Sequence, residues 1–86
     1  MTIGLEKLSK EDEKGPEFTQ IKDLLQQVTP ELENAVLLGG FFSMQSFTRN
    51  YQIYYRMASG QIYEARVARD LLRKRTYIIS FGRISF

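Results

Sequence analysis

Five basic residues fall within ten positions near one end of this chain: Arg66, Arg69, Arg73, Lys74 and Arg75. Arginine presents a planar fork of donors that meets carboxylate or phosphate oxygens two at a time, and its flat face stacks on rings. Such a cluster is chemistry for holding an anion rather than transforming one. Aromatic residues are interleaved with these charges at Tyr51, Tyr54, Tyr55, Tyr63, Tyr77, Phe81 and Phe86. Rings beside arginines serve two kinds of partner. They stack the bases of single-stranded nucleic acid, and they anchor protein interfaces, where tyrosine and arginine are both enriched.

The rest of the chain sharpens the contrast. Residues 1–46 carry four lysines against eight carboxylates, whereas residues 47–86 carry all seven arginines and Lys74 against only Glu64 and Asp70. The formal net charge of +2 conceals this split. Charge of one sign gathered in one half steers association with the opposite sign. Glu64 and Asp70 are expected to pair locally with Arg66, Arg69 or Arg73. A solvated strand edge also carries charge simply to prevent edge-to-edge aggregation.

Catalytic constellations are sparse. With no histidine and no cysteine, the commonest general base, thiol nucleophile and transition-metal ligands are all missing. Gly39-Gly40 lacks the downstream Gly-Lys-Ser/Thr of a phosphate loop, and Asp12 with its neighbouring glutamates lacks the alternation of a calcium loop. The expectation is a non-enzymatic protein with no cofactor and no metal.

These residues must be positioned by a small domain. At 86 residues and 43% hydrophobic content the chain supports one modest core, with no disulfide to reinforce it. Absence of cysteine favours a reducing compartment, Met1–Leu8 lacks a signal-peptide pattern, and the longest apolar run, Ala35–Phe42, is well short of the roughly 20 residues that span a bilayer. A soluble, cytoplasmic protein without a membrane partner is expected.

Residues 1–16 read as a polar leader forming a flexible arm, although Ile3, Leu5 and Leu8 offer a means of docking it. Residues 17–86 form the domain proper. Phe18, Ile21, Leu24, Leu25 and Val28 trace one face of an amphipathic helix over Glu17–Val28. Pro16 suits its first turn, and Thr29-Pro30 ends it. Pro30–Asn34 adds one helical turn with Thr29 as N-cap. Ala35–Met44 is nearly continuous in apolar character, which predicts a strand buried on both faces with a bulge or bend at Gly39-Gly40; a buried helix ending at Gly39 competes with it.

From Phe47 to Met57, Tyr51, Ile53, Tyr55 and Met57 alternate with Gln52, Tyr54 and Arg56, placing Tyr54 and Arg56 on the outer face. Ala58-Ser59-Gly60 supplies a hairpin connection, and Tyr63, Ala65 and Val67 return along the next strand. Residues 67–75 are rich in helix formers, so the strand is expected to stop near Val67 and give way to a short helical turn over Arg69–Lys74. Thr76–Phe81 is a strand, continuing past a bulge through Gly82–Phe86. The fold class is α+β: an N-terminal amphipathic helix packed on an antiparallel β-meander of about four strands.

Two functions suit this arrangement. In one, a protein-interaction module (an adaptor, an inhibitor or a small subunit) docks an acidic protein surface through Tyr54, Arg56, Arg66, Arg69, Arg73, Lys74 and Arg75. In the other, a regulatory protein binds nucleic acid with the Arg66–Arg75 cluster and the sheet tyrosines. The modest net charge, and an acidic leader that competes with phosphate, favour protein. A small core with an Arg- and Tyr-rich edge also suggests a homodimer or one subunit of a heteromer.

Overall fold

A computed structural model describes residues 5–84. It has two layers, a helical one over one face of a five-stranded antiparallel sheet. In chain order the elements are β1 (Glu6–Lys7), α1 (Lys10–Lys14), α2 (Pro16–Val28), a 3-10 turn (Pro30–Asn34), β2 (Val36–Gln45), β3 (Thr48–Arg56), β4 (Ile62–Asp70) and β5 (Arg75–Arg83). The strands lie side by side in that same order. This is the meander expected for short hairpin connections, with one strand more than anticipated.

The extra strand comes from the leader, whose described residues, from Glu6 on, are therefore not a free arm. Glu6 and Lys7 pair with Phe42 and Phe41 of β2, and the Leu8 N–H donates to the Gly40 carbonyl at 2.9 Å. Leu8 is only 6% exposed and belongs to the core, whereas Leu5 stays largely in solvent; Ile3 lies outside the described residues. Ser9 then closes α1 with a reciprocal capping box: its hydroxyl accepts from the Asp12 N–H while the Asp12 carboxylate accepts from the Ser9 N–H. Two otherwise unpaired backbone donors are satisfied this way. Position 40 must be glycine chiefly because a Cβ there would stand 2.6 Å from the Gln52 carbonyl oxygen of β3; it would also stand 2.9 Å from Leu8 Cδ1.

Helix α2 starts with Pro16 at its first position and buries Phe18, Ile21 and Leu25 against the sheet. Val28 departs from the expected stripe and is 62% exposed. The chain reverses into the 3-10 turn just beyond it, and Leu32 from that turn fills the core at this end. Thr29 stands at the N-cap position of that turn but makes no side-chain cap hydrogen bond.

On the sheet side the core is Tyr51, Ile53 and Tyr55 of β3 with Ala65 and Val67 of β4, the alternation expected of strands with one covered face. Leu37, Phe42, Ile78 and Phe81 pack at its margins. Strand β2 bulges between Leu37 and Gly39, where Gly39 takes φ +135°. Contrary to expectation β2 is not buried on both faces: Val36, Leu38 and Phe41 are 38–49% exposed. Nor does β4 stop at Val67. It runs on through Asp70, pairing with β3 and β5 along its full length, and only Leu71–Lys74 turn. Helix propensity here amounts to tenths of a kcal/mol per residue and is overruled by ladder pairing on both sides. Strand β5 begins at Arg75 and continues through Arg83; Ser85 and Phe86 lie outside the described residues. No helix among the described residues is long and apolar enough to cross a membrane.

Candidate functional site

Cross-strand partners in an antiparallel sheet project to the same side, so the register maps the face opposite the helices row by row. Val36, Arg56 and Ile62 form one row; Gly39, Tyr54, Glu64 and Gly82 the next; Phe41, Gln52, Arg66 and Ser80 the third. Ser43, Asn50, Ala68 and Tyr77 follow, and then Gln45, Thr48, Asp70 and Arg75. Lys7, opposite Phe41, joins from β1. Among the described residues no second layer covers this face.

A connected set of side chains occupies its centre. The Tyr54 hydroxyl donates to Glu64 Oε2 at 2.7 Å, and Arg66 Nε donates to Glu64 Oε1 at 2.8 Å. Phe41 meets the Tyr54 ring edge-on, with centroids 6.4 Å apart. The Tyr54 hydrogen bond, aided by Arg66, holds the Glu64 carboxyl below the usual range. The same bond raises the Tyr54 hydroxyl above its ordinary value, because the proton it donates to a carboxylate is harder to remove. Tyr54 and Arg66 are thereby fixed in orientation. Around them stand apolar Val36, Phe41, Ile62 and Tyr77 and the cations Lys7, Arg56 and Arg75. Among the described residues no carboxylate pairs with those three cations.

Of the residues singled out in the sequence, the fold gathers Tyr54, Arg56, Arg66 and Arg75 on this face and separates the rest. Arg69 is not part of the patch. It opposes Arg49 and Thr76 on the helix-covered side, where its Nη1 donates to Thr76 Oγ1 at 2.8 Å and to Gln20 Oε1 of α2 at 3.5 Å. Because β4 stays extended to Asp70, odd and even positions point to opposite faces, and Arg66 and Arg69 fall on different sides. Arg73 and Lys74 lie in the β4–β5 turn. The Asp70 carboxylate organises that turn by accepting from the N–H groups of Leu72 and Arg73 at 3.0 and 3.1 Å, while Arg73 Nη1 lies 3.4 Å from Oδ2. These bonds, the Arg73 N–H foremost, hold the Asp70 carboxyl low. Lys74 leaves the turn with φ 55°.

Two features escaped the sequence reading. Val36 and Phe41, expected within a strand buried on both faces, stand exposed among the basic residues, and Leu38 is exposed at the bulge. Arg49 was counted only as charge, although it continues the Tyr51–Ile53–Tyr55 alternation backward by two and so belongs to the helix-covered face. There it forms a 2.8 Å ion pair with Glu17, tying the first turn of α2 to β3, and its guanidinium lies 5.8 Å from the Phe42 ring centre. A 250 Å³ hollow borders this pair, lined by Leu8, Glu11, Asp12 and Tyr51 among others.

The charge split of the sequence becomes a difference between two sides. Residues 9–34, which build the helical layer, hold three lysines against seven carboxylates, while the open face holds four cations, Lys7, Arg56, Arg66 and Arg75, against Glu64 and Asp70. Comparison with known proteins found no matching family model, no matching curated protein and no matching solved structure.

Proposed function

We propose that this chain is a non-enzymatic protein-interaction module that docks an acidic protein surface onto the uncovered face of its sheet. The observation that carries the reading is the juxtaposition on that face of exposed apolar side chains, Val36 and Phe41, with an oriented Tyr54 and the cations Arg56, Arg66 and Arg75. Interfaces combine an apolar centre with tyrosine and arginine anchors. Exposed apolar area on a small domain is costly in water unless something covers it. Phosphate is less well served, since it would leave the apolar Val36 and Phe41 in water.

The test compares charge reversal on the open face, Arg56→Glu with Arg75→Glu, against Lys10→Glu with Lys14→Glu on the helical layer. Each variant is used to capture partners from native extract with and without nuclease, and folding is checked by circular dichroism. The reading expects protein partners that survive nuclease and are lost only with the open-face pair. Partners that vanish on nuclease treatment would transfer the face to nucleic acid. Equal effects from both pairs would show the charge asymmetry to be solubility patterning.

A further inference from the structure

The two edges of the sheet are treated differently. At one, β1 covers the middle of β2 and Leu8 is drawn into the core. At the other, β5 is the last strand and has no neighbour on its outer side among the described residues. Two hydrogen bonds set the direction of its backbone groups. Leu71 N donates to Phe47 O on the β3 side, and Ile84 N donates to Ile62 O between β4 and β5. Even-numbered residues of β4 therefore bond to β5 and odd-numbered ones to β3, because ladder groups alternate along a strand. Carried through the register, with its bulge between the Arg66 and Val67 pairings, this leaves the N–H and C=O groups of Thr76, Ile78, Phe81 and Arg83 pointing outward from the sheet.

The charge along this edge is of one sign. Residues 71–84 include Arg73, Lys74, Arg75 and Arg83 and no carboxylate. A second copy pairing antiparallel so that these outward groups meet would set Thr76 opposite Arg83 and Ile78 opposite Phe81, bringing two segments of the same sign alongside each other, and like charges on neighbouring strands repel. An extended acidic segment meets the opposite situation: its backbone completes the ladder while its carboxylates face the arginines at both ends. Strand addition draws affinity from main-chain hydrogen bonds and specificity from alternate side chains.

We propose that β5 receives an extended acidic segment of a partner protein as a sixth strand. This rests on the reading of the chain as a docking module and adds to it the form of the partner's segment and the backbone edge that holds it.

The test uses a capped peptide of alternating Glu and Val, about ten residues long to match β5, with an alternating Lys-Val peptide and a Glu-Pro peptide as comparators. Binding to the full chain is followed by fluorescence anisotropy and by amide exchange. The proposal expects the Glu-Val peptide to bind and the other two to fail, with the amides of Thr76, Ile78, Phe81 and Arg83 becoming protected. Thr76→Pro and Arg83→Pro remove outward N–H groups and should weaken binding on the order of tenfold, about 1.4 kcal/mol, relative to Thr76→Ala and Arg83→Gln. The exchange pattern of the unsubstituted chain decides the matter even where a proline variant unfolds. Protection of open-face residues instead, or Glu-Pro binding as well as Glu-Val, would overturn the strand addition. Absence of peptide binding would also overturn it, and capture of a protein partner through Arg56 and Arg75 would then leave the docking reading standing. Protection of the four amides in the free chain together with dimeric sedimentation would assign the edge to a second copy and overturn the proposal.

Discussion

Replacing Leu8 with alanine tests whether the N-terminal segment is structure or appendage. Leu8 is 6% exposed, its N–H holds the Gly40 carbonyl, and its Cδ1 lies 2.9 Å from where a Cβ at position 40 would stand. The substitution removes three buried carbons. At about 0.8 kcal/mol per buried CH₂ the transfer loss is about 2.4 kcal/mol. A residual cavity adds to this, but Leu8 sits at the margin of the core, where the short β1–α1 segment can settle inward and reduce the addition. The expected cost is about 2–3 kcal/mol. For a domain of this size each kcal/mol moves the melting temperature by roughly 4–8 °C, so the midpoint should fall by about 10–20 °C.

Urea denaturation supplies the free energy and thermal melting the midpoint. Leu5→Ala provides the internal control, because Leu5 is 60% exposed and its truncation should stay within about half a kcal/mol. A Leu8→Ala variant equally close to the parent would refute the docked segment, and with it β1 as the cover of the β2 edge.

Other outcomes follow from the same geometry. Leu25→Ala, at a position 1% exposed, should cost about 2–4 kcal/mol by urea denaturation, while Val28→Ala, at 62% exposure, should cost less than about half a kcal/mol. Gly40→Ala should destabilise by about 1–3 kcal/mol, and adding Leu8→Ala should not rescue it, because the Gln52 carbonyl is the nearer obstacle at 2.6 Å. Burial pushes the Tyr55 hydroxyl from 10.0 up to about 12; its contribution is full below pH 10 and fades as pH rises to about 12, by up to about 1.4 kcal/mol per unit, and Tyr55→Phe should abolish that part of the alkaline loss in urea titrations. Asp12, Glu64 and Asp70 are held below their ordinary values, so their contribution is present above the unfolded carboxylate range and lost as pH falls through the folded values. Glu64→Gln should flatten part of that acid limb.

The helix and the central hairpin were legible because their apolar residues are periodic and their ends are punctuated. Phe18, Ile21 and Leu25 repeat on one helical face between Pro16 and Thr29-Pro30, and Tyr51, Ile53 and Tyr55 alternate up to a turn at Gly60. The outward placement of Tyr54 and Arg56 followed from that alternation alone. What failed depended on partners distant in sequence. Residues 68–70 have the composition of a helix, and only pairing with β3 and β5 makes them strand. The arginine cluster then divides, because a strand sends alternate residues to opposite faces where a helix would have grouped several on one side. Leu8 is a lone apolar residue among charges, and nothing local distinguishes it from an exposed one. Its burial follows from the pairing of Glu6 and Lys7 with β2, more than thirty residues away in sequence.

The misreading of β2 bears most directly on function. A continuous apolar run is the expected signature of a strand covered on both sides by its own chain. Here Leu37 and Phe42 pack on the helix-covered core, while Val36 and Phe41 face the uncovered side. The same residues would be read identically if a partner supplied the second cover. Charge indicates what that cover would be. The helical layer is acidic and the open face basic, so two copies brought open face to open face would repel, whereas an acidic surface would be attracted from a distance and would then remove Val36 and Phe41 from water. Long-range attraction governs the rate of encounter and falls with salt; apolar burial governs the lifetime and does not. Raising ionic strength should therefore slow association with the protein partner while leaving dissociation nearly unchanged, and Phe41→Ser should do the reverse. A partner whose dissociation accelerates steeply with salt, and which is indifferent to Phe41→Ser, would be held by charge alone, and the apolar part of the face would have no role in binding it.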